Sequence, residues 1–188
     1  MIAGPSGVGK GSVVERLLAL DPEGLALSVS VTTRAPRSTE VGGRDYSFIS
    51  DEAFDGMIEA GELLEWAPIV GHRSGTPRAF VGERLAAGTD VVLEIDVKGA
   101  EQVRRRVPEA VLIFLEPPSM DELERRLRGR GTESEDRIRA RLQTAEWELT
   151  QRGWFDHVVV NDDLERASSQ VAAIIAASRR SDPEASEG

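Results

Sequence analysis

The sequence predicts an α/β protein in which helices cover both faces of a parallel sheet, with a small α+β insertion. A glycine-rich turn that ends in lysine follows a short apolar segment and leads into a helix-like segment. From residue 89 onward, apolar strand-like runs alternate with helix-like segments, which is typical of parallel sheets. Residues 34–88 contain frequent glycine turns between short runs, and we interpret them as the insertion.

Hydrophobic periodicity and turn signals predict the individual elements. The predicted strands are residues 1–3, 27–31, 46–49, 63–70, 91–95, 111–115 and 157–160. One helix follows Lys10, one is capped by Ser50, one begins at Thr76-Pro77, and one is opened by a capping box at Ser119. Further helices are expected at about 98–107, around 138–149, and at 164–177. Residues 181–188 are polar and acidic, and we expect a disordered tail.

Composition limits the function further. The chain has 188 residues, 40% hydrophobic and 30% charged, which suits one globular domain with a hydrophobic core. Its formal net charge of −10 argues against a general nucleic-acid-binding protein. The absence of cysteine excludes disulfides and thiolate metal sites. No apolar stretch is long enough to span a membrane and no secretory signal is evident, so we expect a cytoplasmic protein without a membrane partner.

The N-terminal turn has the spacing of a phosphate-binding loop. Its residues are Gly4, Pro5, Ser6, Gly7, Val8, Gly9 and Lys10, which fit G-x-x-x-x-G-K between a strand and a helix. Glycines let backbone amides turn toward a phosphate, and the lysine reaches the β- and γ-phosphates. We therefore predict that residues 4–12 bind ATP. The alternative is a glycine-rich turn with a chance lysine.

Two features of this loop depart from the usual pattern. Gly11 stands where serine or threonine is common, and Ser12 follows, so the hydroxyl ligand of a magnesium ion is left open. This arrangement is common among nucleoside monophosphate kinases. Only three residues precede Gly4, and we expect a very short first strand, either because the start of the reading frame is misassigned or because the sequence is shortened.

Two sets of side chains in the insertion suggest an acceptor site. Arg34 and Arg37 lie three apart on a proline-containing stretch, so two guanidiniums can converge on one anion. The alternative is a pair of solvated loop arginines. Glu65 lies between Leu64 and Trp66, and its carboxylate can accept two parallel N–H bonds from one partner. Taken alone, Glu65 fits a surface strand carboxylate better, and only the motifs around it favour a binding role.

These motifs together resemble the guanylate kinase family along nearly the whole chain. The resemblance rests on the phosphate loop, on Ser30 to Arg37, Gly42 to Tyr46 and Leu64 to Ala67, and on Glu94-Ile95-Asp96, Gly129 to Glu133 and Val160 to Asp163. It implies a phosphate-loop (P-loop) kinase fold with a core of 1–33 and 89–188, a GMP-binding subdomain of 34–88, and a helical lid at about 126–140. It also implies a Mg²⁺-dependent transfer of the γ-phosphate of ATP to GMP or dGMP.

The resemblance assigns the acceptor residues as well. The phosphate of GMP is expected to contact Arg34, Arg37 and Tyr46, and the base to contact Glu65 with the hydroxyls of Ser30 and Thr76. Many members have a tyrosine that touches the GMP phosphate where this chain has Ser74, so Ser74 is expected to bind through water, or Arg73 to substitute. Glu94 and Asp96 are expected between the two nucleotides.

On the donor side, the resemblance places Arg128 and Asn161 near adenine, and Arg130 and Arg141 on the transferring phosphates. Asp96 is expected to hold the metal through water, although it could instead cap the helix that follows. The expected catalytic residues are Lys10, Arg34, Arg130 and Arg141. We also consider a non-catalytic protein-binding module of the same family and a kinase for a ribose bisphosphate. The sequence leaves the oligomeric state open.

Overall fold

The computed structural model describes residues 1–37, 40–43, 46–69, 71–129 and 134–181. The strands in these residues are β1 (Ile2–Ala3), β2 (Leu25–Leu27), β3 (Val31–Thr32), β4 (Ser47–Phe48), β5 (Leu63–Ile69), β6 (His72–Pro77), β7 (Asp90–Val92), β8 (Ile113–Glu116) and β9 (His157–Val160). The α-helices are α1 (Lys10–Leu20), α2 (Asp51–Glu59), α3 (Arg78–Ala86), α4 (Val97–Arg106), α5 (Met120–Gly129), α6 (Glu135–Thr150) and α7 (Leu164–Ser181). The tail that we expect to be disordered lies, beyond Ser181, outside the described residues.

The chain divides into two compact units. The first comprises Met1–Asp21, Glu94–Val97 and Val111–Gly188, and the second comprises Pro22–Leu93 and Lys98–Ala110. The division into a phosphate-loop core of 1–33 and 89–188 and a GMP-binding subdomain of 34–88 remains a prediction.

The first unit contains a parallel sheet in the order β1-β8-β9. Ile2 lies opposite Ile113 in β8 and also forms an isolated parallel bridge with Glu94. The apolar residues of β1 and β8 are almost completely buried, as expected for parallel strands covered on both faces. Helix α1 buries Val13, Val14 and Leu17. The α/β architecture predicted from the sequence is therefore present.

The second unit contains the parallel pair β2-β7 and a mixed sheet in the order β4-β3-β6-β5. The core of the mixed sheet consists of Val31, Phe54 and Leu63, with Trp66 against them. Ser50 caps helix α2, because its side chain accepts a hydrogen bond of 3.2 Å from the Ala53 amide, so the predicted cap is confirmed. In the first unit, Ser119 Oγ likewise accepts from the Glu122 amide at 3.1 Å and opens α5.

Three local predictions are wrong in detail. The alternating run 27–31 does not form one strand, because β2 pairs with β7 whereas β3 pairs with β4 and β6. The run 91–95 forms a strand only to Val92, after which Glu94 makes a single bridge. Thr76 does not cap α3, because it belongs to β6, and Pro77 rather than a hydroxyl residue occupies the N-cap position.

Candidate active site

The phosphate loop depends on glycines with unusual backbone angles. Gly4, Gly7 and Gly9 have φ values of 141°, 91° and 99°, in the region that favours glycine. A Cβ on Gly4 would lie 2.1 Å from the carbonyl oxygen of Leu115 in β8, and one on Gly9 would lie 2.6 Å from Nδ2 of Asn161. Both the positive φ and the close packing therefore require glycine at Gly4 and Gly9.

The helix that follows the loop starts without a side-chain cap. Gly9 occupies the N-cap position of α1 and makes no side-chain hydrogen bond. The first amides of a helix have no partner inside the helix, and together with the helix dipole they attract anions. Lys10 Nζ lies over the same loop and donates to the carbonyl oxygens of Gly4 at 2.6 Å and Pro5 at 3.2 Å. The loop thus presents amides and an ammonium group to one small volume.

That volume is a cavity of about 340 Å³. It is lined by Ser6, Gly7, Gly9, Lys10, Gly11, Ser12, Glu15 and Glu94. Burial raises the pKa of the Glu94 carboxyl, the nearby charge of Lys10 opposes this rise, and Glu15 adds to it. The cavity therefore combines cationic and amide groups for a phosphate with carboxylates at its wall.

A second set of contacts holds the loop from behind. The carbonyl oxygen of Val8 accepts from Asn161 Nδ2 at 2.8 Å and from Arg126 NH1 at 3.1 Å. Arg126 NH2 also donates to the Asn161 carbonyl at 2.9 Å, and its Nε donates to Glu122 at 2.8 Å. Val8 and Asn161 are buried. Because the Val8 carbonyl is held on this side, the loop backbone is fixed by α5 and the end of β9.

In the second unit, a carboxylate and an aromatic ring hold the side chain of Arg34. Arg34 forms two hydrogen bonds to Glu40, whose carboxylate also accepts from the Arg37 amide at 2.8 Å. The Arg34 guanidinium carbon lies 4.8 Å from the ring centre of Tyr46. Arg34 and the Arg37 amide lower the pKa of Glu40 to about 2. Arg34 therefore lies against the Tyr46 ring, while the Arg37 side chain remains 76% exposed.

A buried carboxylate lies in the same unit. Glu65 is 6% exposed, and its Oε1 accepts a hydrogen bond of 2.7 Å from Thr76 Oγ1, which is fully buried. The two residues lie opposite each other in the β5–β6 pair. A buried carboxylate requires hydrogen-bond partners, so this one is not a solvated strand residue. The alternative of a surface carboxylate is therefore wrong for Glu65.

The position where the family often has tyrosine is polar and small. Ser74 Oγ donates to the carbonyl oxygen of Val31 at 3.2 Å. The neighbouring Arg73 is engaged by helix α2, with 2.7 Å between NH2 and Asp51 Oδ1 and a further ion pair to Asp55. Its guanidinium also lies over the ring of Phe54 at 4.8 Å. Arg73 thus links β6 to α2 through ion pairs.

Comparison with known proteins identifies the family. The family model described as guanylate kinase matches residues 1–178. A guanylate kinase of Synechococcus sp. (strain CC9311) is 54% identical over 171 residues, which is 91% of this chain and 90% of that protein. One of Nocardia farcinica (strain IFM 10152) is 54% identical over 176 residues, 93% of this chain and 91% of that protein. The chain belongs to the guanylate kinase family.

A solved structure agrees with this membership. The crystal structure of guanylate kinase from Anaplasma phagocytophilum has a TM-score of 0.74 and 34% identity, covering 94% of this chain and 82% of that one. The P-loop kinase fold and the class of nucleoside monophosphate kinase, both predicted from the sequence, are thereby confirmed. In the described residues, no helix is long and apolar enough to cross a membrane.

Within this guanylate kinase family chain, the predicted site residues fall into two groups. The first unit carries the phosphate loop, Glu94, Asp96, Arg128, Arg141 and Asn161, and the second carries Ser30, Arg34, Arg37, Tyr46, Glu65, Ser74 and Thr76. Arg141 NH1 lies 3.3 Å from Ser6 Oγ of the loop. Arg128 forms ion pairs with Glu124 and Glu135. Arg130 and part of the predicted lid lie outside the described residues.

Two residues of the site are not evident from the sequence. Glu40 looks like an ordinary loop carboxylate, and only its spacing of three residues from Arg37 hints at a contact. Arg126 is one of several arginines on a helix, and its spacing from Glu122 predicts no more than a surface ion pair. Its contact with Val8, 118 positions away, becomes visible only in the folded chain.

The oxygen atoms near the phosphate loop fit a magnesium ion that is held mainly by substrate. Ser12 is exposed at the cavity wall, with Glu15 and Glu94 beside it. Magnesium prefers oxygen ligands, keeps several waters, and is usually bound by one or two carboxylates together with substrate phosphates. Among the described residues, no group of three or more acidic, histidine or cysteine side chains forms a metal cage by itself. Such a metal would therefore depend on the nucleotide.

Proposed function

We propose that the chain transfers the γ-phosphate of ATP to GMP, producing ADP and GDP. Family membership supports this reaction, because the relatives named above are guanylate kinases. The observation that carries the choice of acceptor is the buried Glu65 carboxylate with its Thr76 partner. In the same unit, Arg34 is prepared for an anion.

Guanine recognition follows from the chemistry of Glu65. The carboxylate accepts the N1–H and N2–H donors of guanine, and Thr76 fixes one of its oxygens. Adenine would place no such pair of donors there, so the carboxylate would not gain the two hydrogen bonds that guanine supplies. Sites of this kind reject the wrong partner by up to ~10⁴–10⁵-fold. Ser30 completes the base site in our proposal, and dGMP is accepted as well as GMP.

The phosphate of GMP is bound by Arg34, Arg37 and Tyr46, with Ser74 acting through water. Arg34 is oriented by Glu40 and by the Tyr46 ring, so little conformational freedom is lost on binding. Arg37 has an exposed side chain that can close on the anion. Since Arg73 is engaged by Asp51 and Asp55, we propose no role for it in binding the phosphate.

On the donor side, the α1 amides and Lys10 bind the β- and γ-phosphates of ATP. Arg141, next to Ser6, neutralises the transferring group together with Arg130, and Arg128 and Asn161 border the adenine. Ser12 and, through water, Asp96 would hold Mg²⁺ with Glu94 nearby, and this ion would draw charge from the phosphate oxygens. When ATP binds, the Lys10 ammonium donates hydrogen bonds to the phosphates in place of the Gly4 and Pro5 carbonyls.

The reaction needs no covalent intermediate on the protein. An oxygen of the GMP phosphate forms a bond to the γ-phosphorus as the bond to the β-phosphate oxygen breaks, and ADP leaves. Since that attacking oxygen is already ionised at neutral pH, no strong general base is required. The main obstacle is repulsion between two anions, which Lys10 and the arginines reduce. A lid at about 126–140 would exclude water and prevent hydrolysis of ATP.

The deciding experiment measures ADP release from ATP and Mg²⁺ with GMP, AMP, UMP or ribose 1,5-bisphosphate added singly. We expect turnover with GMP, little with AMP or UMP, and none with the ribose bisphosphate. Turnover with the ribose bisphosphate alone would show that this compound, and not GMP, is the acceptor. A folded sample that binds GMP without any turnover would indicate the non-catalytic module.

A further inference from the structure

Two side chains of α4 cover the open edge of β5. Among the described strands, β5 is at the end of the mixed sheet, so one of its edges faces away from β6. Gln102 accepts from the Trp66 amide at 3.2 Å and donates to the Trp66 carbonyl at 2.8 Å. Arg106 NH1 donates to the carbonyl of Leu64. The two side chains thus occupy the hydrogen-bonding positions that a further strand would occupy.

These contacts enclose Glu65 on both sides along the chain. Leu64 and Trp66, its immediate neighbours, are held on the outer edge by Arg106 and Gln102, while Thr76 lies opposite Glu65 on the inner edge. The β5–β6 register is irregular between Leu63 and Glu65, so regular pairing with β6 does not by itself fix the backbone at Glu65. The outer contacts supply that constraint.

We infer that Gln102 and Arg106 are positioning residues for guanine recognition by Glu65. This inference rests on the proposed function, because it gives Glu65 the role of reading the base. Neither side chain needs to touch the nucleotide. A buried carboxylate recognises two parallel donors only when its plane is fixed, and that plane follows the backbone of residues 64–66.

Arg106 and Gln102 act as a pair. Arg106 NH1 also lies 3.4 Å from Gln102 Oε1, so each side chain limits the freedom of the other. They are four residues apart on α4 and share one face of that helix. Arg105 makes a suitable control, because it is 74% exposed and pairs with Glu101 on the same helix at 2.5 Å.

The test compares Gln102→Ala, Arg106→Ala and Arg105→Ala in steady-state kinetics with GMP and AMP. We expect Gln102→Ala to raise the KM for GMP by about 5-fold, the effect of losing one or two hydrogen bonds. The KM for ATP should stay within about twofold of the wild-type value. The preference for GMP over AMP should fall. Arg105→Ala should match the wild type, and Arg106→Lys, which retains a donor, should recover part of the loss in Arg106→Ala.

A double-mutant cycle separates positioning from a merely structural role. If Gln102 acts through Glu65, Gln102→Ala should have little further effect on the KM for GMP in a Glu65→Gln background. Full additivity, an equal rise in both KM values, or a lower melting temperature with unchanged selectivity would overturn the inference. Should Gln102→Ala not fold, the comparison of Arg106→Ala with Arg106→Lys decides the question. Failure of the wild-type chain to phosphorylate GMP would instead overturn the proposed function itself.

Discussion

Arg34 and Glu40 form a bidentate ion pair, with 2.6 Å from NH1 to Oε2 and 2.7 Å from NH2 to Oε1. The side chains are only 16% and 13% exposed. The carboxylate also accepts from the Arg37 amide, so one acidic side chain orders both the guanidinium and the loop. A planar guanidinium held in this way can still offer its remaining protons to a phosphate.

Replacing Arg34 tests its role in the acceptor site. Arg34→Ala should raise the KM for GMP by ~10- to 100-fold, because charge-assisted hydrogen bonds to the phosphate are lost. The KM for ATP should be nearly unchanged. Initial rates at varied GMP and ATP provide both values, with Arg105→Ala as a control. Equal losses for the two nucleotides would contradict the assignment.

The Arg34–Glu40 pair also predicts a dependence of stability on pH. The pKa of Glu40 is lowered from 4.5 to about 2, first by the hydrogen bond from Arg34 and then by the Arg37 amide. The folded state therefore gains stability above the unfolded pKa, and loses this gain as the pH falls through the folded pKa. Glu40→Gln should be less stable than the wild type at about pH 7, and the difference should shrink toward about pH 2.

Urea unfolding at several pH values measures this difference. Glu146→Gln, which removes an exposed carboxylate on α6, is the matched control and should show a much smaller difference from the wild type. A constant gap between wild type and Glu40→Gln across the acid range would mean that the ion pair does not cause it.

Lys10 is expected to be essential for turnover. Lys10→Ala should lower kcat by at least ~100-fold, because the charge that stabilises the transferring phosphate is removed. Thermal unfolding should remain cooperative. Lys98→Ala changes the other lysine of the sequence, which is exposed on α4, and should retain activity. Appreciable turnover in Lys10→Ala would refute the role of Lys10.

Base selectivity provides a test of Glu65 and Thr76. Glu65→Gln should reduce the preference for GMP over AMP, because an amide offers one acceptor oxygen in place of two. Thr76→Val should act in the same direction but more weakly, since the carboxylate remains and loses one donor. The ratio of kcat/KM for the two nucleotides measures both effects. Glu62→Gln, an exposed neighbour, should leave the ratio unchanged.

Two glycines should respond in opposite ways to alanine. Gly4→Ala should lower the free energy of unfolding by more than ~1 kcal/mol, because φ is 141° and the added Cβ would overlap the Leu115 carbonyl. Gly56 lies inside α2, and apart from its chain neighbours and the backbone of its own helix an added Cβ would meet no described atom within 4 Å. Gly56→Ala should therefore raise that free energy by ~0.5–1 kcal/mol. An unchanged free energy of chemical unfolding in Gly4→Ala would contradict this loop geometry.

Local signals predict part of this architecture well. The strand at His157–Val160 and the caps at Ser50 and Ser119 follow from a short apolar run, a cap hydroxyl and nearby acidic residues, all of which act within a few positions. The run 27–31 fails because alternation indicates an extended chain and not the strand with which it pairs. Thr76 fails as a cap because its hydroxyl bonds to Glu65 across the sheet.

In the candidate site too, the sequence predicts local features but not contacts between distant residues. The glycine spacing of the phosphate loop and the arginine pair in the insertion predict which segments bind phosphate, since that chemistry is local. Glu40 and Arg126 escape sequence reasoning because their roles come from contacts that folding creates. The burial of Glu65 depends likewise on β6, and no property of the residues beside it in the sequence predicts it.

The side chains that cover the edge of β5 also affect association between copies of the chain. An open strand edge is a template on which a second chain can add by backbone pairing, and natural proteins avoid this by blocking such edges. Here Gln102 and the cation of Arg106 occupy the positions that an incoming strand would need. The edge of β5 is therefore protected against self-association and aggregation at Leu64 and Trp66, by two side chains from a helix of the same chain.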